Sequence, residues 1–234
     1  MKKTFMLLAA AMLTMSFALN AQTERKLGFR AQVGANGSKM TQFADGDLLL
    51  GLRAGVALDI PIQDVLSFRP TLLFQTKGEA IPVTVGKVNV RPMYAELPLL
   101  LNLNMGGTEN LNFYVNAGPY VAYAFAGKAK GRSGAVYFDG KKGNEVDLDL
   151  FEEMNGVDKD GEERSDLTPM NRLDAGINVN FGMDFAKHCF LEVGAEYGFL
   201  NTTNHVEIPY WAKHRPEYRA SHNATVHFSV GVRF

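Results

Sequence analysis

The chain has 234 residues, of which 46% are hydrophobic and 21% are charged, and its formal net charge is −1 at pH 7. This balance gives no electrostatic basis for binding nucleic acid, because such binding depends on an excess of cationic side chains. The chain contains one cysteine, Cys189, which excludes an internal disulfide bond.

Residues 1–21 are typical of a secretory signal peptide, in which a basic start precedes an apolar run and a small residue. A membrane-spanning helix would need about 20 apolar residues, whereas Thr14 and Ser16 interrupt this run. We predict cleavage after Ala21. The mature domain over 22–234 then has about three more acidic than basic side chains, because the leader contains two lysines.

The mature sequence alternates between apolar and polar residues in eight separate stretches. A period of two places the two kinds of side chain on opposite faces of a β-strand. In the last stretch, for example, Ala224, Val226 and Phe228 alternate with Thr225 and His227. Most stretches reach the roughly 9–11 residues that a tilted strand needs to cross a bilayer. The predicted strands cover 27–36, 48–60, 65–77, 88–103, 111–125, 173–185, 189–199 and 224–234.

The connections between these strands alternate in length. Those near 61–64, 104–110 and 186–188 are short, whereas 127–171 and 201–221 are long. Short turns at one end and long loops at the other are the pattern of an outer-membrane barrel, and closure gives every backbone edge a hydrogen-bond partner in lipid. We therefore predict an all-β fold, an eight-stranded antiparallel up-and-down transmembrane β-barrel in the outer membrane, with short periplasmic turns and long extracellular loops.

The polar row of the predicted strands contains charged residues of both signs and many glycines. In a soluble β-sandwich, the alternative fold, this row would face solvent, whereas in a barrel it faces the lumen and the apolar row faces lipid. Glycine suits a crowded interior, and outward aromatic residues bunch toward both strand ends as in membrane girdles. Charged side chains should pair across a lumen that eight strands leave just wide enough for side chains to fill. The predicted lumen network comprises Arg30, Arg53, Arg69, Glu96, Asp174, Glu192 and Glu196.

Four prolines lie inside the predicted strands, although proline removes a hydrogen bond from a strand ladder. We expect a bulge or a locally unpaired register at each one. These prolines are Pro70, Pro92, Pro98 and Pro119.

Three stretches, YAELPLLLNLN (94–104), NAGPYVAYAF (116–125) and DAGINVNFGMDF (174–185), resemble the PorT-type outer-membrane β-barrel family of Bacteroidetes. The resemblance covers nearly the whole mature chain and implies a small eight-stranded barrel. The founding type of that family is implicated in a protein-secretion system, while most members have no assigned role. The resemblance therefore implies a fold and a location, and it suggests envelope assembly or secretion as the process.

His227 and Ser229 suggest a catalytic interpretation, because lipid A deacylase barrels resemble this chain in having a histidine and a serine two residues apart. A general base must reach both its nucleophile and its substrate. Here both residues belong to the lumen-facing row, whereas the lipid substrate lies outside the barrel. We therefore predict interior packing, no enzymatic activity, and no catalytic, cofactor-binding or metal site.

The stretch 144–166 contains ten acidic residues and two basic ones. Part of it resembles a calcium loop, but that template requires aspartate five positions before its glycine. Counting back from Gly161 gives Gly156, so the template fails. We predict a solvated acidic loop, with loose binding of divalent ions as the alternative.

The last long loop has the opposite character, because cationic and aromatic side chains interleave there. Such side chains can bind the phosphate and sugar groups of lipopolysaccharide, or an envelope protein. The alternative is an interfacial anchor that also neutralises the acidic loop. The candidate binding residues are Tyr210, Trp211, Lys213, Arg215, Tyr218 and Arg219.

Phe234 ends the last alternating strand. A terminal aromatic residue in this position resembles the signal that barrel-assembly machinery recognises, so we predict that Phe234 is an assembly signal. The alternative is a girdle residue without a further role.

The predicted function is a binding or structural role through the external loops, accessory to envelope assembly or protein secretion. The expected partners are outer-membrane lipid, lipopolysaccharide, the barrel-assembly machinery and an envelope protein, with no nucleic acid. The alternatives are a narrow passive channel for small solutes and, with less support, an outer-leaflet lipid-modifying enzyme.

Overall fold

The computed structural model describes residues 27–41, 46–82, 87–108, 110–138, 141–157, 163–186, 188–203 and 220–234. The predicted signal peptide and the six loop candidates from Tyr210 to Arg219 lie outside the described residues.

The described ranges contain twelve β-strands. The strands are β1 (Gly28–Met40), β2 (Asp47–Pro61), β3 (Leu66–Thr76), β4 (Glu79–Pro82), β5 (Lys87–Thr108), β6 (Leu111–Phe138), β7 (Lys141–Asp149), β8 (Met154–Val157), β9 (Glu163–Leu167), β10 (Leu173–Phe185), β11 (Cys189–Gly198) and β12 (Asn223–Arg233). Within the same ranges, no helix is long and apolar enough to cross a membrane.

Eight strands close into a ring, in the order β1, β2, β3, β5, β6, β10, β11, β12 and back to β1. Every neighbouring pair is antiparallel. The ring closes where the first strand meets the last, with Val33 opposite Val230 and Asn36 opposite His227. The predicted eight-stranded antiparallel barrel is confirmed.

The two rims of the barrel differ. At the short-turn rim, neighbouring strands are joined through 62–65, 109–110 and 186–188. The first and last strands meet at this rim, where the Phe234 N–H donates to the Phe29 carbonyl at 2.8 Å. The opposite, long-loop rim bears the longer connections, which follow β1, β3, β6 and β11.

The wall extends beyond the predicted strands at the long-loop rim. β5 has 22 residues and β6 has 28, and β4 and β7 pair with their outer parts. The segment 127–171, predicted as one long loop, therefore contains the end of β6 and all of β7, β8 and β9. A bulge explains the missed extension: Tyr94 pairs with Ala124 and Met93 with Ala126, which leaves Phe125 unpaired and shifts the alternation by one residue.

Burial alternates along the ring strands in the opposite sense to a soluble protein. Outward-facing apolar side chains such as Leu52, Val121 and Phe181 are exposed, while inward-facing polar side chains such as Asn116 and Glu96 are buried. An apolar exterior around a polar interior is the arrangement that lipid requires of a transmembrane barrel. An outward aromatic pair, Phe74 and Phe125, lies near the long-loop rim with ring centroids 6.3 Å apart.

The ring prolines coincide with interruptions of the ladder, as expected. Pairing between β2 and β3 stops beside Pro70, pairing between β3 and β5 stops beside Pro98, and pairing between β5 and β6 stops beside Pro119. Pro92 adjoins the bulge described above. The five other seams of the ring are continuous over the residues they pair.

Candidate functional site

The part of the lumen near the short-turn rim contains a cluster of ion pairs. Arg30 binds Asp184 with two nitrogens, at 2.7 and 3.0 Å, and its Nε lies 2.6 Å from Asp59. Arg69 binds the other oxygen of Asp59, and Arg233 lies 2.8 Å from Asp184. Each carboxylate therefore meets two guanidinium groups, and the five residues come from five strands, so the cluster links distant parts of the wall.

Tyr114 is buried in the lumen next to this cluster. The guanidinium groups of Arg30 and Arg69 lie 5.0 and 4.6 Å from its ring centroid, within range of a cation–π interaction. Its hydroxyl donates to Glu192 at 3.3 Å. Gly182 lies opposite Tyr114 in the ladder, and a Cβ atom there would overlap the ring. The glycine thus makes room for an aromatic plug.

Nearer the long-loop rim, Lys77 is the centre of a second cluster. Its Nζ lies 2.7 Å from Glu96, 3.0 Å from Glu196 and 3.9 Å from Asp174. The amide of Gln75 donates to both glutamates at 2.9 Å. A lysine that is completely buried requires such partners, because an unpaired charge in a low-dielectric interior is strongly unfavourable.

The backbone beside Lys77 depends on a glycine. β3 ends at Thr76, and β4 begins at Glu79. Gly78 between them has a φ of 138°, which side-chain-bearing residues rarely adopt, and a Cβ atom there would overlap the carbonyl of Val90. Glycine therefore permits the break in the chain directly after Lys77.

All seven predicted network residues are buried in the lumen. Arg30 belongs to the cluster at the short-turn rim, while Arg69 and Glu192 contact Tyr114. The cluster around Lys77 contains the other four, since Arg53 Nη1 lies 3.5 Å from Glu196. The alternation of the sequence also predicted that other charged residues face the lumen, although they were not among the seven network residues. Those that join the network are Asp59, Lys77, Asp184 and Arg233.

The remaining space between the two clusters is small. A cavity of about 10 Å³ adjoins Arg30, Arg53 and Arg69. This is close to the space occupied by one water molecule. The side chains that line this cavity therefore leave room for about one water molecule at this point.

His227 and Ser229 both face the lumen and are buried. His227 Nε2 lies 2.7 Å from the side-chain oxygen of Asn180, and its Nδ1 lies 3.6 Å from Glu196. The pair thus lies among the lumen side chains, on the opposite face of β12 from the lipid-facing Phe228. Among the described residues, no three potential metal ligands are grouped closely enough to bind a metal ion.

A family model described as outer membrane protein beta-barrel domain matches residues 20–204 of the chain. The chain belongs to this outer-membrane barrel family. This membership places the protein in the bacterial outer membrane. The exposed apolar side chains of its outer face therefore contact lipid.

Three solved structures are similar to the outer-membrane barrel. Ail, the attachment invasion locus protein of Yersinia pestis, is 13% identical with a TM-score of 0.40, covering 90% of this chain and 100% of that chain. Neisserial surface protein A is 12% identical with a TM-score of 0.45, at coverages of 90% and 100%. OprG from Pseudomonas aeruginosa is 12% identical with a TM-score of 0.45, at coverages of 89% and 95%. Among curated proteins, no sequence matches significantly.

An apolar cap covers the lumen of the outer-membrane barrel at the long-loop rim. Leu150 and Phe151, in the turn after β7, are buried together with Met40 and Met170. The cap packs onto Tyr94 and Tyr120, whose rings lie over Lys77 with their centroids 5.6 and 4.3 Å from its Nζ. The polar side chains inside the lumen are thus covered, at the long-loop rim, by a layer of apolar side chains.

The predicted acidic loop is partly a strand. In β7, Asp147 and Asp149 lie opposite Lys130 and Lys128 of β6. The carboxylate of Asp147 lies 3.2 Å from Lys130. Asp147 is therefore paired locally, whereas Asp149 accepts a hydrogen bond from the Phe151 N–H. Residues 158–162 of the same stretch lie outside the described residues. Phe234 lies at the short-turn rim with 78% of its side chain exposed.

Proposed function

We propose that the protein is a non-conducting, non-enzymatic outer-membrane barrel with a binding or structural role at its long-loop rim. One observation supports this most directly: the lumen is filled by ion pairs around Arg30 and Lys77 and is covered by the Phe151 cap. Solutes crossing such a barrel would have to break buried charge pairs, and removing one partner of a buried pair typically costs about 3–5 kcal/mol. The external surfaces remain as the sites of function.

The extended wall formed by β5, β6 and β7 suits an external role. It continues the barrel beyond the lipid-facing band, with a charged outer face and an apolar inner face that contacts the cap. The predicted loop candidates from Tyr210 to Arg219 belong to the connection between β11 and β12 and lie outside the described residues. We propose lipopolysaccharide or an envelope protein as their partner, with an interfacial anchor as the alternative.

The resemblance to PorT-type barrels suggests the process. On this proposal, the protein is an accessory component of envelope assembly or protein secretion, and it contacts an envelope protein through the long-loop rim. Crosslinking in intact outer membranes, followed by affinity purification, tests this. A partner should be recovered with the wild-type chain and lost when Tyr210, Trp211 and Lys213 are replaced by serine, while a Lys87→Ser control retains it.

The conductance of purified protein in planar bilayers tests the closed lumen. We expect no stable single-channel steps in preparations whose heat-modifiable gel mobility shows folded barrels. Reproducible steps would contradict the proposal and favour the narrow passive channel.

An outer-leaflet lipid-modifying enzyme has less support, because its only candidate pair faces the lumen. Folded protein incubated with lipid A or phospholipid should release no fatty acid above a His227→Ala control. Release that depends on His227 would contradict the non-enzymatic assignment.

A further inference from the structure

On the outer face of the wall, charged side chains follow the aromatic residues near the long-loop rim. Met93 faces outward near the Phe74–Phe125 pair, and Arg91, two residues further along β5, is also outward and exposed. Two residues along a strand correspond to about 7 Å. Since aromatic residues of membrane barrels lie at headgroup level, Arg91 lies at or just above the headgroups of the outer leaflet.

The bulge at Phe125 directs lysines toward the same level. Below it, the even-numbered residues Ala122 and Ala124 of β6 face inward, whereas beyond it Lys128 and Lys130 face outward. Without the extra residue, both ammonium groups would point into the apolar inner face. A bulge that redirects side chains is a common feature of functional sites.

Two cations then lie directly opposite each other. Arg91 pairs with Lys128 in the β5–β6 ladder, and both side chains are exposed. Like charges in directly opposite positions destabilise a sheet. Asp149 and Asp147 on β7 offset the charge of the lysines, with Asp147 4.0 Å from Lys128, but Arg91 makes no ion pair with any described residue. An anion bound between them would remove the repulsion.

An open cleft of about 380 Å³, which we call the rim cleft, is lined in part by Asp149, the residue opposite Lys128 in the β6–β7 ladder. Its lining residues are Phe125, Ala126, Asp149, Phe151, Glu152 and Arg172. The rim cleft is wide open to the surface, so it is a shallow depression and not an enclosed pocket.

Arg172 supplies a third cation, which lines the rim cleft itself. Its guanidinium lies 4.3 Å from the ring centroid of Phe151 and 6.0 Å from that of Tyr123, and it donates to the carbonyl of Ala124 at 3.1 Å. These contacts fix the planar group, which suits bidentate binding of phosphate. The site therefore has one cation in its lining, two more on the neighbouring ladder positions, and two phenylalanines in its wall.

The carboxylates of the rim cleft indicate a sugar. Asp149 accepts a hydrogen bond from the Phe151 N–H at 2.9 Å, and Glu152 lines the same wall. Carboxylates repel a bare phosphate but accept hydrogen bonds from hydroxyl groups. Aromatic side chains such as Phe125 supply the apolar surface on which a sugar ring packs.

We propose that the rim cleft, with Arg91 and Lys128 beside it, binds the phosphorylated sugar headgroup of a lipopolysaccharide molecule in the outer leaflet. The phosphates contact Arg91, Lys128 and Arg172, and the sugar hydroxyls face Asp149 and Glu152. The site depends on the outer-membrane location of the protein. It is independent of the candidate loop over 205–219 and of any protein partner.

Equilibrium binding of full-length folded protein to lipid A in detergent micelles tests the proposal. Arg91→Gln combined with Lys128→Gln should weaken binding of bis-phosphorylated lipid A at least tenfold, and Arg172→Gln should do so separately. Lys87→Gln is the matched control, because Lys87 is an exposed cation on the same strand. Its ammonium hydrogen-bonds to Asp47 and holds the pKa of that carboxyl below its usual range.

The probes distinguish the headgroup chemistry. Wild-type protein should bind dephosphorylated lipid A and phosphatidylglycerol micelles at least tenfold more weakly than bis-phosphorylated lipid A. Equal binding of phosphatidylglycerol, or equal binding by the variants and the wild-type protein, would overturn the proposal. Heat-modifiable mobility shows which variants fold, and the single Arg91→Gln change, on an exposed side chain, provides the test if the double variant does not. A wild-type barrel that is non-conducting but binds no lipid A would contradict this site alone.

Discussion

Lys77 Nζ and Glu96 Oε2 lie 2.7 Å apart at a position where neither side chain is exposed. The lysine also neutralises Glu196, whose carboxylate lies 3.0 Å away. Both carboxylates therefore depend on one ammonium group, and Arg53 is a further cation beside Glu196.

Replacing Lys77 by methionine should strongly destabilise the barrel. The change leaves two buried carboxylates without their main partner, and the expected loss in the free energy of unfolding is about 3–5 kcal/mol. Urea unfolding in detergent micelles, followed by heat-modifiable mobility, measures it. Lys87→Met is the control and should change little, because that ion pair is exposed. Adding Glu96→Gln to Lys77→Met should recover part of the loss, and a Lys77 variant as stable as the control would refute the network.

Removing the ring of Phe151 should loosen the cap without opening the lumen. Burying a phenylalanine contributes about 1.5–3 kcal/mol, so Phe151→Ala should raise the protease sensitivity of the segment 141–170. Bilayers should remain silent, because the ion pairs around Arg30 and Lys77 still fill the lumen below. Single-channel steps that occur in this variant but not in the wild-type protein would show that the cap, and not the lumen side chains, blocks conduction.

The charge pairs between β6 and β7 should hold the external hairpin together at low ionic strength. Asp147→Lys places like charges beside Lys130, and opposed like charges cost about 0.2–1 kcal/mol in a sheet. Amide hydrogen exchange of β7 should therefore accelerate, most strongly at low salt. The swapped double variant Lys130→Asp/Asp147→Lys should restore protection. Equal exchange in all variants would indicate that backbone pairing alone fixes β7.

Phe234 and Phe29 provide a matched test of the predicted assembly signal. The two residues face each other at the short-turn rim, linked by backbone hydrogen bonds of 2.8 and 3.3 Å, and both rings are exposed. If Phe234 is recognised during assembly, Phe234→Ala should reduce the amount of barrel in the outer membrane and leave unfolded protein in the periplasm. Phe29→Ala should have little effect, because it removes only an interfacial ring. Equal abundance of the two variants would leave Phe234 as a girdle residue.

The eight ring strands could be predicted because lipid and lumen impose opposite requirements on alternate residues. That constraint acts on every residue of β10 or β12, and so the period of two is unbroken there. Beyond the bilayer, this constraint on alternate residues weakens. At Phe125 a single extra residue shifts the phase, and the pattern that marks β6 stops there although the strand continues to Phe138.

The lumen network was partly predictable for the same reason. The polar row identifies which side chains face inward, but the pairing between them depends on the stagger of the strands, which alternation does not encode. Lys77 shows the difference. It continues the inward row of β3, but its three acidic partners come from β5, β10 and β11. Only the closed ring brings these strands around one ammonium group.

The prolines give the barrel wall two mechanically different sides. Pro70, Pro98 and Pro119 follow a diagonal, since Pro70 lies opposite Leu99 and Pro98 opposite Tyr120. Along this line, three consecutive strand pairs lack part of their backbone hydrogen bonds. In the half of the barrel from β10 through β12 to β2, backbone pairing is continuous. If lateral pressure from the bilayer deforms the cylinder, we expect it to bend along the proline diagonal first, because fewer backbone hydrogen bonds resist bending there.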